Sequence, residues 1–188
     1  MIGKVYSAAV TGIYAVPVEV QADVAPGIPY FELTGNLAGT TKEAKERVRI
    51  AIKNSKFQIN PSKITINMIP ANIRKEGTSY DLAVAVAVLT AVGVIAAKKV
   101  SGALFIGELG LDGGICNVSS ILPMTLCARD NGFTICYVPM GNVGEASLVT
   151  GIRVIGISSL RECVDYINNG CNCRAHVDNN IDNTDDNN

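Results

Sequence analysis

The 188-residue chain is 48% apolar and 18% charged, with a formal net charge of −1. That apolar share supports a sizeable core and excludes a disordered body, and the small net charge singles out neither nucleic acid nor any other charged partner for the chain as a whole. The charge is uneven, however: Cys171 to Asn188 holds four Asp and one Arg, which leaves 15 basic and 13 acidic residues in the body before it.

The opening Met1-Ile2-Gly3-Lys4-Val5 runs straight into strand-like sequence, with no apolar leader region, so a cytoplasmic location is expected. Val5 to Ala9 and Ile13 to Val20 read as strands joined at Thr11-Gly12, and Tyr30 to Leu33 as a third strand closing an antiparallel meander. Thr40 with Glu43 has capping-box spacing, opening a helix from Thr41 to about Asn54. One face of that helix is apolar, through Ala44, Val48, Ala51 and Ile52. The other carries Lys42, Lys45, Arg47, Arg49 and Lys53; with Lys56 and the two glutamates the segment is +4. Such a face either contacts phosphates, with Arg74 and Lys75 nearby, or is an ordinary solvated surface or subunit contact.

Lys63 to Met68 reads as a fourth strand. The chain is then organised around Lys75-Glu76-Gly77-Thr78-Ser79-Tyr80-Asp81-Leu82, which opens a helix interrupted only by Thr90 and Gly93 as far as Ala97. A helix apolar on every side is buried on every side. This one is too short for a membrane span, and no membrane association is expected. Thr78 and Asp81 have the spacing of a cap, and the free amides of such a helix start also suit an anion. Ala103 to Gly107 suits a central strand, Leu111 to Gly114 a tight turn, and Ile115 to Val118 its return. Ser119 or Ser120 should cap a helix to Arg129, ended by Asn131-Gly132. Ile135 to Pro139 and Val154-Ile155 are strands; Asn142 to Val149 and Ser158 to Ile167 are helices. Strands first and alternation afterwards give an α+β domain over 1–170, with 171–188 an Asn/Asp-rich linker or tail. In that tail Cys171, Cys173 and His176 lack a second cysteine pair, so no metal site is assigned; Cys116, Cys127, Cys136 and Cys163 sit singly inside apolar stretches and are expected as small buried hydrophobes.

Three separated stretches together resemble a family. They are Gly39 to Arg49 with Ala51-Ile52 and Asn54-Ser55; Ile64 to Asn67, Pro70-Ala71, Lys75 to Gly77 and Tyr80 to Leu82; and Gly107 to Leu109 with Leu111 to Gly113. Their order and spacing resemble the N-terminal domain of the magnesium-chelatase-like, competence-associated AAA+ ATPases of the ComM/YifB type. The resemblance implies a ribosomal-protein-S5-domain-2-like fold, shared with the Lon protease domain. It also implies a parent protein whose AAA+ module follows this domain, assembles as a hexamer and works on DNA in recombination or natural transformation. This chain has no G-x-x-x-x-G-K-[ST] sequence, so it reads as a fragment; ATP and Mg belong to the absent module, and no cofactor is assigned here.

The Lon likeness raises a second function, that of a serine peptidase. Ser79 stands at the nucleophile position, but the position of the activating lysine falls on Leu122, and leucine takes no proton. Lys75 would have to fold back across the helix start to serve. The resemblance therefore implies a non-catalytic accessory domain aiding ring assembly or DNA engagement, with Ser79 a vestige and Lys42, Lys45, Arg47, Arg49, Lys53, Arg74 and Lys75 the DNA-contact candidates.

Overall fold

The computed structural model describes residues 2–170 and 176–178. Its main sheet runs β10-β9-β8-β5-β1-β2-β4-β3. The strands are β1 (Ile2–Thr11), β2 (Tyr14–Pro26), β3 (Tyr30–Thr34), β4 (Ser62–Ile69), β5 (Ala103–Phe105), β8 (Ile135–Pro139), β9 (Arg153–Ile157) and β10 (His176–Asp178), with β6 (Glu108–Leu109) and β7 (Ile115–Cys116) forming a separate small hairpin. The helices are α1 (Gly39–Lys42), α2 (Ala44–Asn54), α3 (Asp81–Ala91), α4 (Ile121–Asp130), α5 (Val143–Ala146) and α6 (Leu160–Asn169). The fold is mixed: β1, β5, β8 and β9 run parallel, whereas β2 pairs antiparallel with both β1 and β4. No described helix is long and apolar enough to cross a membrane.

The period-2 alternation of the strands divides the core in two. Val5 and Ala9 of β1, Phe105, Tyr137 and Ile155 join α2, α3 and α6 in one cluster. Ala8, Leu104, Cys136 and Val154 join α4 and α5 in the other. The sheet is therefore covered on both faces, which explains the near-continuous apolar sequence of β5, β8 and β9. As its sequence requires, α3 is buried at every residue from Asp81 to Ala91. It lies so close to β1 that a Cβ added at Gly3 would overlap the Ala87 carbonyl oxygen and sit 2.7 Å from the Ala91 nitrogen. Gly3→Ala is therefore expected to cost about 1–3 kcal/mol of stability, as forced overpacking does, and denaturant titration checks it.

Several local expectations give way to tertiary partners. β3 does not close a meander; it pairs parallel with β4 at the sheet edge, because α2 carries the chain back to make a crossover unit, and β2 takes the other edge of β4. The helix expected from Thr41 is two helices broken at Glu43, and Thr40 forms no cap. The central helix is shorter than expected, ending at Ala91 with Gly93 at φ +81°, and it has no side-chain cap. The helix after Ser120 also lacks one, since Ser120 is itself left-handed at φ +60°. A side-chain cap does form at α6, where Ser159 Oγ accepts from Glu162 N at 3.1 Å, while the Glu162 carboxylate accepts from the preceding Ser158 N at 2.7 Å. Within the stretch expected as a tail, His176–Asp178 pairs antiparallel with β9. Of the four cysteines expected to be buried, Cys127, Cys136 and Cys163 are, whereas Cys116 is exposed on the small β6–β7 hairpin. Cys171 and Cys173 lie outside the described residues, as does the side chain of His176, and among the described residues no group of three or more metal-ligating side chains occurs.

Candidate nucleic-acid interface

Two polar constellations flank α2, and its helical period decides which cations go to which. On the inner side, Arg47 reaches the start of α3. Its Nε donates to Asp81 Oδ2 at 2.7 Å and its Nη2 to Asp81 Oδ1 at 3.1 Å. Asp81 is wholly buried, while the Arg47 side chain keeps 19% exposure. The Leu109 amide donates to the same carboxylate at 3.2 Å, tying β6 to the pair. Burial pushes the Asp81 carboxyl up, and Arg47 and the Leu109 amide oppose that push. Arg47 in turn is held above its ordinary value, chiefly by its hydrogen bond to Asp81. Thr78, expected as a cap, instead places its hydroxyl on the Glu108 carboxylate.

Lys75 is fully buried, and its ammonium donates to the carbonyls of Gly35, at 2.9 Å, and Pro70. Its backbone is held as well: Lys75 N donates to Asn36 O at 3.0 Å and Ala38 N donates to Lys75 O at 2.9 Å. The Thr41 hydroxyl is placed to donate to Lys75 O at 3.0 Å or Gly77 O at 2.9 Å. Desolvation lowers the Lys75 ammonium from its ordinary value. With its head group enclosed among carbonyls, Lys75 cannot reach an external phosphate, so it leaves the set of DNA-contact candidates. Nor does it activate Ser79, which is buried and forms no side-chain hydrogen bond among the described residues; the carbonyl of Ser79 accepts from Gly107 N at 2.9 Å. Leu122, at the place of a general base, packs on the second core cluster. At the start of α3, then, Asp81 is engaged by Arg47, Lys75 by backbone carbonyls and Thr78 by Glu108.

On the outer side of α2, Lys45, Arg49 and Lys53 follow at i, i+4 and i+8, one stripe of the helix. They form one wall of a groove of about 950 Å³. Its other wall is the segment after α2, and the strand end at Tyr30 and Phe31 closes it. Lys56 completes the stripe in a left-handed conformation, φ +64°. Lys56 N donates to Lys53 O at 3.0 Å and Phe57 N to Ile52 O at 3.2 Å, the helix-ending motif usually built on glycine. That turn brings Phe57 to the groove. Ile52 and Ile64 are buried at its apolar side, whereas Tyr30 is 52% exposed. One carboxylate lines the groove, Glu46, and it pairs with Arg49 at 2.9 Å.

Of the seven cations expected to contact DNA, the structure brings Lys45, Arg49 and Lys53 together. Lys42 is exposed on α1, and Arg74 is exposed and paired with Glu76 at 2.8 Å. Arg47 faces inward on Asp81, and Lys75 is enclosed. Sequence reasoning missed Tyr30, Phe31 and Phe57. The i, i+4, i+8 spacing of the three cations was available as a signal; the approach of β3 to the end of α2 was not.

A mixed sheet covered on both faces, with a fully buried α3 whose start carries Ser79, is consistent with a Lon-like domain. The chain belongs to the family described as subunit ChlI of Mg-chelatase, whose model matches residues 20–142. The competence protein ComM of Haemophilus influenzae is 33% identical over 164 residues, which are 87% of this chain and 32% of that protein. YifB of Escherichia coli is 36% identical over 147 residues, 78% of this chain and 29% of that protein. A more distant relative is the DNA repair protein RadA of Listeria monocytogenes, 26% identical over 173 residues, 86% of this chain and 35% of that protein. The chain spans about a third of the length of these relatives.

Proposed function

We propose that this chain is the non-catalytic accessory domain of a magnesium-chelatase-like AAA+ ATPase in the cytoplasm, and that it engages DNA through the outer face of α2. One observation carries the reading: Lys45, Arg49, Lys53 and Lys56 converge on a single groove that contains one carboxylate, already paired. Exposed cations grouped in this way release counterions when they meet phosphates. The names of two relatives, a competence protein and a DNA repair protein, favour work on DNA in recombination or natural transformation. ATP and Mg would act in a module outside this chain, and that module and further copies of the parent, as a hexamer, would be its partners.

Fluorescence anisotropy of the 188-residue chain with single-stranded and branched DNA, at low and moderate salt, tests the reading. Binding that weakens steeply as salt rises supports it, and no binding at low salt sinks it. Ring assembly is the second reading, supported by the β1–β2 hairpin. That hairpin extends past its pairing with β4, which ends at Glu19 opposite Ile69, and past β5, which meets β1 at Tyr6. Its tip exposes Ile13 by 80% and Tyr14 by 72%. A surface of that kind suits burial against a neighbouring subunit.

A further inference from the structure

The groove has two chemistries, and the DNA reading uses only one of them. Its cations suit phosphates of any DNA. Its aromatic side chains do not, because a duplex stacks its bases inside and presents phosphates and sugars to a protein surface. Three of the chain's ten Tyr and Phe residues line this one concavity. Tyr30 is half exposed at the sheet edge, and the helix-ending turn at Lys56 brings Phe57 to the groove.

We infer that the groove takes single-stranded nucleic acid, stacking an unpaired base on Tyr30 while Lys45, Arg49, Lys53 and Lys56 hold the phosphates; the inference rests on the DNA-engagement reading above. A charged groove that follows a backbone, lined with aromatic platforms for the bases, is the physical means of binding a single strand without reading its sequence. Lys63 Nζ is 6.0 Å from the Tyr30 centroid. Phe57 is half-buried against the first core cluster, with the Arg161 guanidinium over its ring at 5.1 Å, so it forms the apolar floor of the groove and Tyr30 is the ring left open to a base. Nothing in this arrangement distinguishes one base from another, and little sequence preference follows.

The test compares the 188-residue chain with its Tyr30→Ala and Tyr30→Phe variants. Anisotropy is measured with oligothymidylate and with a hairpin duplex of equal nucleotide number, at moderate salt, and circular dichroism checks the fold of each variant. The wild-type chain should bind oligothymidylate about tenfold more tightly than the duplex. Tyr30→Ala should lose about tenfold on the single strand and nothing on the duplex, the loss expected for one stacked base. Tyr30→Phe, which keeps the ring, should retain the wild-type affinity. Equal affinity for strand and duplex, unchanged in Tyr30→Ala, overturns the inference while leaving phosphate engagement standing. Displacement of DNA by poly-glutamate that also depends on Tyr30 overturns it in favour of an acidic protein segment. Absence of binding to either DNA overturns both this inference and the reading beneath it.

Discussion

Replacing Arg47 with alanine should lower the stability of the domain by about 3 kcal/mol and its Tm by roughly 6–12 °C, whereas Arg49→Ala, two residues away, should change stability by no more than about 0.5 kcal/mol. The contrast follows from where one turn of α2 points the two side chains. Arg49 pairs at the surface with Glu46, both partners 59% exposed, and surface pairs of this kind contribute little. Arg47 supplies the two-pronged donor to a carboxylate with no solvent contact at all. Without it, Asp81 keeps the Leu109 amide alone, and the folded domain must either hold an unpaired buried charge or take up a proton to remove it, each of which costs stability. The loss falls at the low end of what broken buried pairs cost, because Arg47 itself retains some solvent.

A double variant separates the pair from its members. Arg47→Met with Asp81→Leu removes both charges and leaves none unpaired, so it should be more stable than Arg47→Ala, although the Leu109 amide loses its acceptor. If Arg47→Ala melts like Arg49→Ala yet loses DNA affinity, Arg47 belongs to the interface after all and the inner joint has been misassigned. Thermal unfolding of the four proteins in one buffer decides the matter. Because Asp81 opens α3 and α3 is buried throughout, the damage should spread through the domain, and a charge reversal at Arg47 would confuse unfolding with lost binding.

The elements that could be read from the sequence are those whose surroundings are uniform. The run from Leu82 to Ala91 can only be a buried helix, and the alternation in β2 and β4 reads as half-buried strand. Polar side chains at the element ends were legible as to place and misleading as to role. Thr78, Thr40 and Ser120 all sit where a helix begins, and none of them caps one, each for its own reason. Glu108 takes the Thr78 hydroxyl, Thr40 lies inside α1, which begins at Gly39, and Ser120 is itself left-handed. Ser159, extended at the start of α6, accepts from Glu162 N as a cap does. The site divides in the same way. The family resemblance pointed to the segment, and helical period could have sorted Lys45, Arg49 and Lys53 from Arg47. The enclosure of Lys75 by Gly35 and Pro70 depends on a crossing of two loops that has no local signature.

Reversing the groove charge should then weaken DNA binding without disturbing the fold. Lys45→Glu with Lys53→Glu should reduce affinity at least tenfold at low salt, since losing even one charge-assisted contact of ~1.5 kcal/mol is about a factor of ten and the new carboxylates repel phosphate. Both lysines are exposed and form no salt bridge among the described residues, so the Tm should move by only a few degrees. The salt dependence is the sharper readout. If each lysine neutralises one phosphate, the slope of log affinity against log salt should become shallower by about 1.4 on a single strand and by about 1.8 on a duplex. An affinity that falls with an unchanged slope would mean that these lysines act by shaping the groove rather than by meeting phosphates. An unchanged affinity would move the DNA contacts off this face, to Lys42 and Arg74 or to surfaces completed only by the rest of the parent protein. The same pair of substitutions leaves Tyr30 and Phe57 in place, so comparison with Tyr30→Ala separates the two chemistries of the groove: loss of charge should weaken strand and duplex together, and loss of the ring should weaken the strand alone.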